Sequence, residues 1–152
     1  MTRKLIIAAA AAVLTLSPAA FAQQGGTAQE ARVMLDKAIA AVKSDRDVAL
    51  AMFNKGEGGF KDRDLYPFCF NLNDGRFVAA IKQLLGTDTR ALKDPSGKMF
   101  GLELYAAAQK PEGQITEVSY MFPRPGADNV PVAKVSFVTR AGDLGCGVGY
   151  YK

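Results

Sequence analysis

Three glycines in four positions, Gly56, Gly58 and Gly59, divide this chain into a helix-forming part and a strand-forming part. No helix persists through that glycine density, because each glycine costs about 1 kcal/mol of helix stability relative to alanine. Before the break, Ala31, Met34/Leu35, Ala38 and Val42 recur at intervals of three and four, while Glu30, Arg32, Asp36, Lys37 and Lys43 occupy the other side. That spacing is the apolar stripe of an amphipathic helix. It falters at Ser44-Asp45-Arg46-Asp47 and resumes over Val48–Phe53. The helix is therefore expected in two pieces, with Asp45 or Asp47 as the N-cap of the second.

After the glycines the period shortens to two. Leu65 to Leu72 puts Tyr66, Phe68 and Phe70 on one face and Pro67, Cys69 and Asn71 on the other. Asn73-Asp74-Gly75 is a strong hairpin signal, so Arg76 to Ile81 should return antiparallel. Lys82 to Lys98 reads as a long connection, punctuated by Gly86, Asp94-Pro95 and Gly97. Met99 to Lys110 has the spacing of a short helix. Three strands follow: Gln114 to Phe122, Val132 to Arg140 and Leu144 to Tyr151. A proline-rich crossing, Pro123 to Pro131, separates the first two, and Ala141-Gly142-Asp143 makes the last hairpin. The expected class is α+β with a five-stranded antiparallel sheet, a long N-terminal helix and one crossover helix.

The N-terminus carries an address. Arg3 and Lys4 precede an apolar run from Leu5 to Leu16, and Ala20-Phe21-Ala22 supplies a small-x-small cleavage site. Residues 1–22 are thus expected to be a secretory signal peptide and 23–26 a flexible leader, leaving 27–152 as a single exported domain. The run is shorter than the roughly 18 to 20 residues of a spanning helix, and no later segment is as apolar, so no membrane span is expected after cleavage. The expected location is periplasmic or secreted.

Export bears on the cysteines. Cys69 and Cys146 are the only two, and an even pair in an exported chain usually means a disulfide; two separate buried thiols are the competing possibility. The formal charge of +4 includes Arg3 and Lys4, and the remaining charges alternate in sign, as in Lys61-Asp62-Arg63-Asp64. Nothing forms the clustered basic face that a phosphate backbone requires, so nucleic acid is set aside. The chain has no histidine. That removes the usual general base, the usual zinc ligand and the Ser-His and Cys-His systems, and no enzyme, metal or cofactor is expected.

Specific residues then resemble a family. Tyr66-Pro-Phe-Cys-Phe-Asn-Leu-Asn-Asp74-Gly75 resembles the first hairpin of single Cache domains. Leu85-Gly86, with Leu92-Lys93-Asp94-Pro-Ser-Gly97-Lys98-Met-Phe100, resembles their crossing. Val118-Ser-Tyr120, Lys134-Val-Ser-Phe137 and Gly147-Val-Gly-Tyr150 resemble their last three strands, in the right order. The resemblance implies an extracytoplasmic PAS-like sheet that senses small molecules. It also implies that the first and last strands are neighbours, so that Cys69 and Cys146 can face each other. This chain carries Ala80-Ile81 where many relatives place Ala-His, and a standalone domain without a cytoplasmic output module is expected. The implied role is a soluble small-molecule-binding module, with a small organic acid as ligand. Its partner would be a separate membrane receptor, histidine kinase or transporter component. The alternative is a structural or interaction protein of the cell envelope with no ligand.

Within that frame Tyr120 and Lys134 stand out. Tyr120 shares a strand face with Val118 and Phe122, and Lys134 shares one with Val132, Ser136 and Val138. A lysine among apolar neighbours is costly to bury unpaired, so it is either solvated or meets an anion. A phenol and an ammonium converging would suit a carboxylate. Arg90, with Lys93 nearby, lies in the crossing and would close the site, while Phe77, Phe100 and Tyr105 would wall it. Asp94 reads as a turn residue and Arg124 as part of a rigid surface loop. Asp62 and Asp64 could form an acid/base pair, but their charged, glycine-flanked loop reads as solvated.

Overall fold

The computed structural model describes residues 25–152; the expected signal peptide and the first part of the leader lie outside the described residues. Helix α1 (Ala28–Ser44) begins at Thr27, whose hydroxyl accepts from Glu30 N while the Glu30 carboxylate accepts from Thr27 N, a reciprocal cap. Asp45 ends α1 and, through its side chain on Val48 N, starts α2 (Arg46–Lys55). Gly56, left-handed at φ 68°, closes α2. Ala31, Met34, Leu35, Ala38 and Val42 of α1 are buried, as the spacing predicts, joined by Ala49, Leu50 and Phe53 of α2.

Five strands follow: β1 (Pro67–Asn71), β2 (Phe77–Ala79), β3 (Thr116–Pro123), β4 (Pro131–Ala141) and β5 (Leu144–Tyr151), with α3 (Phe100–Ala108) between β2 and β3. They form one antiparallel sheet in the order β2-β1-β5-β4-β3. The first and last strands are therefore central neighbours. Helices α1 and α2 pack on one face; α3, reached through single helical turns at Lys82–Leu84 and Thr89–Ala91, packs on the other.

Cys69 and Cys146 stand directly opposite each other on β1 and β5, Cα atoms 4.1 Å apart, and are disulfide-bonded beneath α1. The bridge closes 77 residues of sequence and stabilises by roughly 4 kcal/mol through the entropy it removes from the unfolded chain.

Both edges of the sheet are blocked by side chains. Strand β2 is shorter than its apolar run because Asn54 of α2 takes over its partners, donating to Val78 O (2.9 Å) and accepting from Ala80 N (3.2 Å). On the β3 edge, Asp94 accepts from Met121 N and Lys98 donates to Ser119 O. These contacts occupy edge backbone groups that another strand would otherwise pair with. The other Asp94 oxygen accepts from Ser96 N and Lys98 N, so the residue both turns the crossing and fastens it to the sheet.

One expectation is overturned here. Asp64 is buried rather than solvated, because its carboxylate accepts from Gly26 N at 2.6 Å and holds the residues just ahead of α1 against the Asp62–Leu65 turn. Asp62 does face solvent, gripped by Arg63 at 2.9 Å.

Candidate functional site

On the α3 side of the sheet, every second residue of β5 is a glycine: Gly145, Gly147 and Gly149. Neighbouring side chains can therefore lie flat across the central strand. Phe70 crosses Gly145 and Phe68 crosses Gly147, each so close that a Cβ there would sit within 2.6 Å of a ring carbon. The third crossing matters most. Lys134, on β4, lays its stem over Gly149 and reaches Tyr66 just ahead of β1, its Nζ 3.1 Å from the phenol oxygen.

The result is a small cavity of about 20 Å³. Phe68 and Phe77 wall one side, Tyr120 and Phe122 the other, and Phe100 and Leu104 of α3 roof it. Ala80, Ile81, Leu84 and Leu92 line the rest, with Tyr66 and Lys134 as the polar end. Tyr120 stacks on Phe100 (centroids 4.1 Å apart, planes 2° from parallel), and its hydroxyl lies 2.8 Å from Ser136 Oγ.

Lys134 is 2 % exposed, and Tyr66 is its hydrogen-bond partner among the described residues. Its ammonium position is ringed by Tyr66, Tyr151 and Phe122, at 4.6, 4.9 and 5.1 Å from the ring centres. No carboxylate of the described residues forms an ion pair with it. Burial accordingly pushes the ammonium down to about 7, opposed only in part by the charge of Asp64. Burial raises the Tyr66, Tyr120 and Tyr151 phenols, so all three remain neutral donors through the physiological range.

Four of the six candidate ligand residues line this cavity: Tyr120, Lys134, Phe77 and Phe100. Tyr120 and Lys134 are direct register partners on β3 and β4. Arg90 and Tyr105 are elsewhere. The Arg90 guanidinium forms a fork with Asp88 (2.9 and 2.8 Å), donates to Asp74 O and covers the Tyr105 ring, while the Tyr105 hydroxyl donates to Leu72 O. Together they clasp the β1–β2 hairpin to the crossing. The pairing pulls the Asp88 carboxyl down to about 2. Arg124, outside the cavity, covers the Tyr151 ring, which fits a rigid loop.

Sequence reasoning passed over Tyr66 and Ser136 as site residues. The alternation that put Tyr66 with Phe68 and Phe70 was the available signal for the first, and the shared face with Lys134 for the second. Clefts on either side of the cavity mouth add Lys55, Lys61 and Lys82, and Arg124, with no Asp or Glu among the described residues that line them. Nor, among the described residues, is there a cluster suited to hold a metal ion.

No family model matches the chain, and no curated protein does. Solved structures do. A periplasmic sensor domain of a chemotaxis protein is similar at 26% identity and a TM-score of 0.60, over 81% of this chain and 88% of that one. A methyl-accepting chemotaxis protein from Vibrio parahaemolyticus is similar at 20% identity and a TM-score of 0.62, over 81% and 86%. A Cache chemosensory domain, described for its carboxylic acid recognition, is similar at 23% identity and a TM-score of 0.57, over 81% and 86%.

Proposed function

We propose that this chain, Cache/PAS-like in its fold and similar to extracytoplasmic sensor domains, binds a small carboxylate at Lys134 without turnover. Occupancy is then read by a separate membrane-associated signalling component. One observation carries the reading: a buried lysine lines a cavity with no acid among the described residues of its wall. A carboxylate arriving there supplies the missing counter-ion. It also finds the Tyr66 and Tyr120 phenols, the latter backed by Ser136 Oγ at 2.8 Å. A charge-assisted hydrogen bond of this kind contributes about 1.5 to 3 kcal/mol.

Size narrows the class. The space is small, about 20 Å³, with aromatic walls above a single charged anchor, so only a compact acid suits it, and only if the aromatic side chains shift to admit it. Acids of a few carbons match it. The similar Cache domain described for carboxylic acid recognition adds support from a relative.

The test is a thermal-shift panel of small carboxylates, amines and amino acids. Ligand at 100 times Kd stabilises by about 2.7 kcal/mol, and the shift should be confined to acids and absent in Lys134→Met. Silence across the panel would favour a second reading, an envelope interaction protein with no ligand. The observation behind that reading is the ring of Tyr66, Tyr151 and Phe122, which already accommodates the Lys134 ammonium.

A further inference from the structure

We infer that Lys134 also acts as a nucleophilic amine, capturing small aldehydes and 2-oxo acids as a reversible imine, an inference that rests on the cavity being a ligand site. Lysines on a protein surface are protonated at neutrality and therefore poor nucleophiles. Lys134 differs in geometry on three counts. Its amine is buried and lines a small, aromatic-walled cavity. Its surroundings are aromatic rings and hydroxyls, with no ion-paired carboxylate of the described residues to hold the proton. Its hydrogen-bond partner is a phenol 3.1 Å away that can give a proton and take it back. Desolvation without a counter-ion is the physical route by which proteins make a lysine nucleophilic.

The chemistry balances without an oxidant or reductant. The Nζ lone pair attacks the carbonyl carbon, the C=O π pair moves to oxygen, and that oxygen takes up the proton the nitrogen sheds. The carbinolamine then expels its hydroxyl as water, with a proton supplied from the Tyr66 side. The nitrogen lone pair closes the C=N bond, and Tyr66 is reprotonated when the resulting iminium gives up its proton. Amine plus carbonyl yields imine plus water. A 2-oxo acid is favoured within this class because its carboxylate sits beside the iminium and supplies a negative charge the cavity wall lacks. The proposal is capture and release, not turnover.

The protein supplies its own controls, since Lys55, Lys61 and Lys82 are exposed around the neighbouring cleft. The full exported chain would be incubated near neutral pH with glyoxylate and cyanoborohydride, then mapped by peptide mass spectrometry for carboxymethyl-lysine. Modification of Lys134 should exceed that of each exposed lysine by at least roughly tenfold, because a far larger fraction of its amine is unprotonated. The excess should vanish when the chain is unfolded in urea before labelling. An unmodified Lys134, or one labelled no faster than Lys55 or Lys61, overturns the inference. Acids that raise the melting temperature while Lys134 resists labelling would sink imine capture and leave the carboxylate reading standing. Selective labelling that propionate neither slows nor accompanies with a thermal shift would uphold capture and sink the carboxylate reading.

Discussion

Replacing Lys134 by Met should make the ligand-free domain more stable, although it removes the anchor on which the proposed function depends. Methionine preserves the length of the stem that lies over Gly149 and removes the buried charge. The Lys134 ammonium falls from its ordinary value of 10.5 to about 7, chiefly by desolvation. That drop corresponds to a penalty on the order of 5 kcal/mol for keeping the group charged inside the fold. Three aromatic rings offset part of the desolvation, and the direction of the shift shows that desolvation wins. The unfolded chain holds the proton to a higher pH than the folded one. Parent stability therefore rises between the folded and unfolded values, from about 7 to about 10.5, while below about 7 the penalty is present in full. Urea unfolding of parent and variant, with the disulfide intact, at about pH 6 and about pH 10 isolates the effect. The variant should be more stable at the lower pH by a few kcal/mol, and the gap should close by up to about 4 kcal/mol at the higher. A variant less stable than its parent at the lower pH, or a gap that does not change with pH, would refute the desolvation argument.

Carboxylate affinity measured by calorimetry should be flat below about pH 7 and fall about tenfold per unit above it, as Lys134 loses the proton the ligand needs; an affinity independent of pH up to 9 or so would exclude Lys134 as the anchor. Gly149→Ala places a Cβ 2.5 Å from Ser136 Oγ and against the Lys134 stem, so it should cost about 1 to 3 kcal/mol in urea unfolding and abolish the acid-dependent thermal shift. Asp94→Ala should cost about 1 to 3 kcal/mol, because Met121 N and the Ser96 and Lys98 amides all lose their acceptor, and exchange of the Met121 amide should quicken. Arg90→Gln should leave acid binding within about twofold while loosening the β1–β2 hairpin, since the guanidinium holds Asp88 and Asp74 rather than the cavity.

Much of this architecture could be read from local pattern. The two-piece helix, the Asn73-Asp74-Gly75 turn and the succession of five strands along the chain follow from period and punctuation, which act over a few residues; that the first and last strands are neighbours came from the resemblance. Tyr120 and Lys134 were also recognisable, because alternation along each strand assigns faces without any knowledge of the neighbour. The failures came from long-range contacts. Arg90 belongs to a crossing that could have covered a cavity, but Asp88, two residues before it, captures the guanidinium. Asp64 sits in a charged stretch, yet is buried by an amide 38 positions away that needs an acceptor. The end of β2 is set by Asn54 in the opposite layer, for which no local signal exists. Tyr66 enters the site because Lys134 crosses Gly149 to reach it, a contact that alternation along a single strand does not show.

The central position of β5 has a consequence for how the chain comes to fold at all. Strands β1 and β4 both take their inner neighbour from Leu144–Tyr151, the last of the five strands in chain order. Until those residues arrive, the β1–β2 hairpin and the β3–β4 pair are separate two-stranded pieces, each marginal alone. Cys69 spends that interval as a free thiol without its partner. Closure is thus a late, non-local event, of the kind that makes folding slow and leaves intermediates exposed. The Cys69–Cys146 bond then latches β1 to that last strand.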